Sequence, residues 1–219
     1  MRKLLLVAAP LLWFAAGCTP PTSTGTGPST TSTPADEAAA AGYLRVGAGN
    51  LAKLTSGNTK IMFVGTKPGG KHDGGFKNVS GELQLQAPTP RARERLAKIG
   101  GITMEIETDS LWADDPKLTT HLKSADFFDV NKYPKATFKS SKIELVGDKD
   151  NIEELKVTGE LEFHGVKKTI TIPVLVNANR GLWISTTFEL SRKEFGMTYG
   201  EGKVDDKVTV SAELGKKPA

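Results

Sequence analysis

The chain has 219 residues, with 29 Lys and Arg against 25 Asp and Glu, a formal net charge of +4 and a single cysteine. Lys and Glu alternate along it rather than gathering on one face, which sets nucleic-acid binding aside. One cysteine makes no internal disulfide, so packing alone must hold any folded domain together.

Arg2 and Lys3 open the chain, and an apolar run from Leu4 to Ala16 follows, ending in Ala15, Ala16, Gly17 and Cys18. This is the composition of an export signal over residues 1–17. The run has 13 residues with Pro10 among them, short of the roughly 20 that cross a bilayer as a helix. Small residues directly before the cysteine resemble a bacterial lipoprotein signal, with Ala15 where such signals usually carry Leu. Cleavage before Cys18 and acylation of Cys18 are therefore expected, which would make the mature protein an exported periplasmic or cell-envelope lipoprotein. Thr19 at the next position favours the outer membrane. Without residues 1–17 the balance is 27 basic against 25 acidic residues.

From Thr19 to Gly42 there is no large apolar residue, and the Thr, Ser, Pro and Gly that dominate cannot offset the entropy of folding. Residues 18–42 thus read as a lipidated cysteine and a tether, whose reach is about 25 to 30 Å as a coil and up to about 75 Å as polyproline. Residues 43–219 are a comfortable length for one domain, which would bury roughly 70% of its unfolded surface.

Lys60 to Gly65 reads as a strand with Ile61 and Phe63 on one face. The glycine-rich run TKPGGKHDGGF reads as a mobile hairpin loop leading to a second strand, Phe76 to Gln86, with Leu83 and Leu85 opposite Glu82, Gln84 and Gln86. Ile102, Met104 and Ile106 then oppose Thr103, Glu105 and Glu107, so one face is dry and the other wet. Asp114, Asp115 and Pro116 supply helix-start chemistry, and Leu118, Leu122 and Ala125 follow at spacings of four and three. A short amphipathic helix is predicted, with Phe127 and Phe128 after it. Consecutive aromatics in extended chain point opposite ways, so one of the two can face an interior.

Period-two alternation resumes at Thr137 and Phe138, and continues with Ile143 and Leu145 as a dry row. Val157, Leu161 and Phe163 are set against Thr158, Glu160 and Glu162; the turn HGVKK follows, and Ile170, Ile172, Val174 and Val176 form the next dry row. Asn177 to Gly181 supply turn residues before Leu182, Ile184, Phe188 and Leu190. The last strand carries Val208, Val210, Ala212 and Leu214 on one face and Thr209, Ser211 and Glu213 on the other. About eight strands with short connections describe an all-β sandwich or up-and-down barrel. Alternation by itself leaves open whether the interior is filled or hollow.

No enzyme signature stands out. His72, His121 and His164 are far apart in sequence, without metal-ligand spacing. No G-x-S-x-G elbow accompanies Ser185, Ser191 or Ser211. The glycines from Gly69 to Gly75 open no helix that would cradle a phosphate.

Three ordered stretches carry a resemblance: HLKSADFFDVNKYPKATFKS (His121 to Ser140), VTGELEFHGVKKTITI (Val157 to Ile172) and SRKEFGM (Ser191 to Met197). Together they resemble the YceI-like family of periplasmic polyisoprenoid-binding proteins, over about Lys60 to Leu214. The chain departs from the family pattern at the first hairpin, with Gly65 and Thr66 where many relatives carry a histidine. The resemblance implies an extended lipocalin-like antiparallel β-barrel of about eight strands with a short helical plug. It also implies binding of a long apolar lipid, a polyisoprenoid or isoprenoid quinone, with no catalytic step, no metal and no cofactor beyond such a lipid. On that reading the inward rows supply the lumen: Phe63, Leu85, Met104, Ile106, Phe138, Leu161, Phe163, Ile172, Val174, Ile184, Phe188, Val210 and Ala212. Phe127 and Phe128 supply its mouth, with Met197 and Tyr199 as weaker candidates. The membrane would be engaged through Cys18, and a homodimer is admitted. The alternative from another class is a solid-core envelope module for structure or protein interaction, without a lipid ligand.

Overall fold

A computed structural model describes residues 44, 46–86, 98–178 and 181–217. The expected signal, Cys18 and the tether lie outside the described residues. The strands are β1 (Leu51–Thr55), β2 (Thr59–Lys67), β3 (Gly70–Phe76), β4 (Val79–Gln86), β5 (Lys98–Glu107), β6 (Leu111–Ala113), β7 (Lys135–Lys149), β8 (Ile152–Phe163), β9 (Val166–Asn177), β10 (Trp183–Ser191) and β11 (Lys207–Leu214). They form one antiparallel sheet in the order β1-β4-β5-β7-β8-β9-β10-β11-β2-β3-β6.

Three pairs of these strands are halves of single bent segments. β3 and β4 pair with β6 and β5 through Phe76↔Leu111 and Val79↔Ile106. The corner between is bridged as Lys77 N–H donates to the Ser110 carbonyl (3.2 Å), Asn78 N–H to Ser110 Oγ (3.0 Å) and Glu107 N–H to the Asn78 carbonyl (3.1 Å). β1 and β2 turn the same corner along the other edge, pairing Thr55↔Ser80 and Ile61↔Phe76. Here Asn58 replaces the ladder: its Oδ1 accepts from Thr55 N–H at 2.9 Å and its Nδ2 donates to the Lys53 carbonyl at 3.0 Å. Counted by segment, the eleven strands are eight in up-and-down order, and pairing of β11 with β2 completes the ring. The all-β, antiparallel, barrel-like expectation is what the structure shows.

Two local expectations are corrected. The glycine-rich run is mostly strand, since β3 occupies Gly70–Phe76 and the turn is confined to Pro68 and Gly69. Gly74 and Gly75 are there because neighbours come close: a Cβ on Gly74 would strike the Phe63 ring and lie 2.7 Å from the Trp112 carbonyl oxygen, and one on Gly75 would lie 2.6 Å from the Ile61 carbonyl oxygen. Glycine in this strand marks close approach and not a break. Leu145, expected on a dry row, is 56% exposed: it shares the face of buried Leu155 across the β7–β8 ladder, but lies beyond Lys139, where the pairing of β7 with β5 ends. β1 alternates, with Ala52 and Leu54 buried and Lys53 exposed, whereas the three residues of β6 are too few to show a period.

Helix α1 (Pro116–Lys123) starts as its sequence dictates: Asp115 accepts from Lys117 N–H at 2.7 Å and Leu118 N–H at 3.2 Å, with Pro116 in the first turn. It ends before Ala125. Between β8 and β9, His164 and Gly165 both have positive φ, 51° and 75°, the two-residue turn whose twist suits a hairpin.

Apolar packing divides along the strands. One half is a solid core, with Leu54, Leu83, Val157, Val176 and Ile184 almost fully buried. At the other end, Leu122 of α1 packs with Leu111 and Phe127, and a further cluster gathers Ala136, Phe163, Phe195 and Met197. Gly74→Ala should lower stability by about 1 to 3 kcal/mol through overpacking, whereas Gly70→Ala, whose Cβ meets nothing nearer than Lys67 Cε at 3.7 Å, should stay within about 0.5 kcal/mol of wild type. Urea denaturation of both variants checks this.

Candidate functional site

Between the packed half and the plug lies a cavity of about 230 Å³. Strand alternation builds it: Ile170, Ile172 and Val174 point in from β9, Ile184, Phe188 and Leu190 from β10, and Val208, Val210 and Ala212 from β11. Of the lumen and mouth residues set out from the sequence, all line this cavity except Leu85 and the weaker candidate Tyr199. Leu85 is 4% exposed and belongs to the packed half with Leu83 and Ile99, where β4 shifts register between Gln84 and Leu85. Phe76, Ile102, Met62 and Ala136 also line it. Ile61, Ile170 and Leu190 join them from dry rows visible in the sequence.

Among the described residues the lining is apolar except for Thr186 and Arg192, and the wall itself engages both side chains. Thr186 donates its hydroxyl to the Pro173 carbonyl at 2.6 Å. Arg192 is 3% exposed and donates only to backbone carbonyls: Nε to Asp205 (3.0 Å), Nη1 to Met197 (2.6 Å) and Tyr199 (2.7 Å), and Nη2 to Val204 (3.0 Å). The guanidinium thereby folds the loop from Arg192 to Asp206 around itself. Asp206 completes the corner: Lys193 N–H (3.0 Å) and the Ser191 hydroxyl (2.8 Å) donate to its carboxylate and hold its pKa below the usual carboxylate range. The motif containing Arg192 is legible in the sequence, but its place beside the lumen is not, since a charged side chain breaks the apolar pattern that marks the other lining positions.

Aromatic rings make the plug end. Phe128 packs with Phe63, Phe76 and Phe163 at ring-centroid distances of 6.1, 5.8 and 5.5 Å, and Phe163 continues to Phe195 at 5.5 Å. Phe127, in the turn after α1, diverges from its neighbour and meets His121 at 5.1 Å and Tyr199 at 5.2 Å. Tyr199 thus closes the plug from outside, and Met197 is buried with Ala136, Phe163 and Phe195. Each histidine has its own partner: His72 pairs with Asp114 (2.9 Å), His121 with Asp126 (2.8 Å), and His164 donates from Nδ1 to the Phe195 carbonyl (2.9 Å). Asp114 is held below the usual carboxylate range, first by Asp73 N–H and then by His72.

An antiparallel barrel of eight segments around an apolar cavity, stoppered by a short helix and a ring of phenylalanines, defines a lipocalin-like protein class. The chain belongs to the YceI-like family: residues 53–215 match the model of the YceI-like domain. It is 32% identical over 131 residues to a UPF0312 protein of Pseudomonas putida, a match covering 57% of this chain and 62% of that protein, so it spans less than two thirds of the length of such curated relatives. Among solved structures it is similar to Burkholderia cenocepacia BcnA, with a TM-score of 0.62 and 27% identity over 74% of this chain and 98% of that one. A polyisoprenoid binding domain from Saccharophagus degradans, implicated in plant cell wall breakdown, shares the fold at a TM-score of 0.56 and 14% identity, covering 76% and 98% of the two chains.

Removing the guanidinium should release the late loop. Arg192→Met leaves four carbonyls without their donor and should cost at least about 2 kcal/mol. Arg192→Lys should recover only part of this, because an ammonium lacks the planar fork. Urea denaturation gives the cost, and faster hydrogen exchange at amides of residues 196–206 locates it.

Proposed function

We propose that the protein binds a long apolar lipid of the isoprenoid class inside its barrel, and carries or sequesters it at the cell envelope while held there through acylated Cys18. The observation that carries this reading is the chemistry of the lumen: its two polar side chains, Thr186 and Arg192, are engaged in the wall, and the rest is hydrocarbon and aromatic surface. Such a cavity gains from burying apolar chain and penalises any unpaired polar group. The shared fold with a polyisoprenoid binding domain supports the same ligand class. This reading asks the lining residues for binding alone.

Magnitudes fit reversible carriage. Burial contributes about 0.8 kcal/mol per CH₂, so about 4 kcal/mol per isoprene unit as an upper limit. Ordering costs reduce this to about 0.3 kcal/mol per heavy atom for larger ligands, and a lipid of about 35 atoms reaches about 10 kcal/mol. At about 230 Å³ the cavity is below the roughly 300 to 1,000 Å³ of small-molecule sites, so a lipid of that length would have to displace side chains of the lining.

Ala212 is the test position, as the small member of the β11 row, 9% exposed and facing the lumen. Protein purified from its host is extracted with organic solvent and the extract analysed by mass spectrometry. Wild type and Glu213→Gln should yield an isoprenoid lipid, and Ala212→Phe should yield little while keeping near-normal stability once delipidated. The reading fails if wild type yields no lipid and Ala212→Phe is destabilised by about 1 to 3 kcal/mol, the behaviour of an ordinary packed core. The intact mass of the same preparation should show a chain starting at acylated Cys18; an unmodified Cys18 would remove the anchor.

A further inference from the structure

The cavity wall is open along one line. β9 pairs with β8 from Asn177 down to Val166, and β10 pairs with β11 from Ile184 to Ser191. Between β9 and β10, however, pairing covers only Asn177↔Trp183 to Leu175↔Ser185. Pro173 accounts for the stop. A strand residue turns its N–H and C=O to the same side, and the Pro173 carbonyl faces β10, where the Thr186 hydroxyl takes it. The missing N–H of Pro173 is therefore missing on that side, and the ladder cannot pass.

Beyond Pro173 the two strands part around a second cavity of about 270 Å³. Ile170, Ile172, Phe188 and Leu190 line both this gap and the lumen, so one layer of side chains separates lumen from exterior there. The outer rim is polar, with Thr171, Glu189, Ser191 and Lys207. At the plug end the gap is crossed by an ion pair, Lys168 of β9 to Glu194 beyond β10 at 2.9 Å. From Lys168 to Pro173 the slit is about 17 Å long at about 3.3 Å per residue, the proportions of an extended chain.

We propose that this slit is a lateral doorway through which an elongated apolar chain enters the lumen sideways, with the Lys168–Glu194 pair as its latch. The inference rests on the reading that the lumen takes such a chain. An end-on route would have to pull α1 and Phe127 out of their packing at one end, or cross the solid core at the other. The sideways route breaks no backbone ladder, and its polar rim lets the polar end of an amphiphile stay hydrated while the tail goes in.

The test bridges the slit. In the full chain carrying Cys18→Ser, Thr171→Cys and Glu189→Cys face one another where a continued ladder would pair them. The control, Glu189→Cys with Thr209→Cys, spans the unbroken β10–β11 ladder at a register pair. Both are joined with the same short, reductively cleavable bis-maleimide, and stopped-flow fluorescence follows uptake of diphenylhexatriene, a rod-shaped apolar probe. Bridging residues 171 and 189 should slow uptake about tenfold or more, with recovery on cleavage, while bridging residues 189 and 209 leaves the rate unchanged. Uptake undiminished by the slit bridge overturns the doorway alone. No uptake by the unbridged protein overturns the lumen reading, and the doorway falls with it.

Discussion

Backbone pairing that continues around corners is the constraint on which this barrel depends. A long strand cannot stay flat and enclose a narrow interior, and an unpaired edge is a site for aggregation. The chain bends β1–β2, β3–β4 and β5–β6 at one level and carries the hydrogen bonding across each bend through Ser110, Asn58 and the backbone of Lys77 and Asn78. Because those bends hold, β11 finds β2 and the ring completes. The inward rows then converge on one axis.

The interior divides along the strands. Where β1 pairs with β4, Ala52, Leu54 and Leu83 are buried in the packed half. Toward the plug, Phe128 and its ring partners occupy the space. The stopper is kept in place from outside by the loop wrapped around Arg192, whose carbonyls from Met197 and Tyr199 bring those two side chains against the plug. A buried charge beside an oily cavity is tolerable because its donors are satisfied by backbone, a strong set of partners at fixed positions.

Much of this was legible in the residues. Alternation from Val157 to Phe163 and from Ile170 to Val176 named inward faces correctly, since period two maps directly onto the two sides of a sheet. Asp115 and Pro116 named the start of α1. What could not be read was anything set by a neighbour distant in sequence: Gly74 and Gly75 look like a loop until the Phe63 ring and the Ile61 carbonyl are seen beside them. Leu145 looks like core until the pairing of β7 with β5 is seen to end before it, and Leu85 continues the apolar row of Leu83 and ends with it in the packed half. Pro173 did carry a signal, a proline in an otherwise well-patterned strand, and the structure turns it into the end of the β9–β10 ladder.

Leu44 and Gly215 meet at the packed half: Leu44 bridges to Leu182, and a Cβ on Gly215 would lie 3.2 Å from the Leu44 side chain. The eight segments are thus a nearly closed circle of chain, and the fold has no intrinsic beginning. Joining these neighbours and cutting instead at the exposed β7–β8 turn would give a circular permutant with the same ring of strands. In such a rearranged chain, an attached segment could be moved around the barrel without touching the stopper.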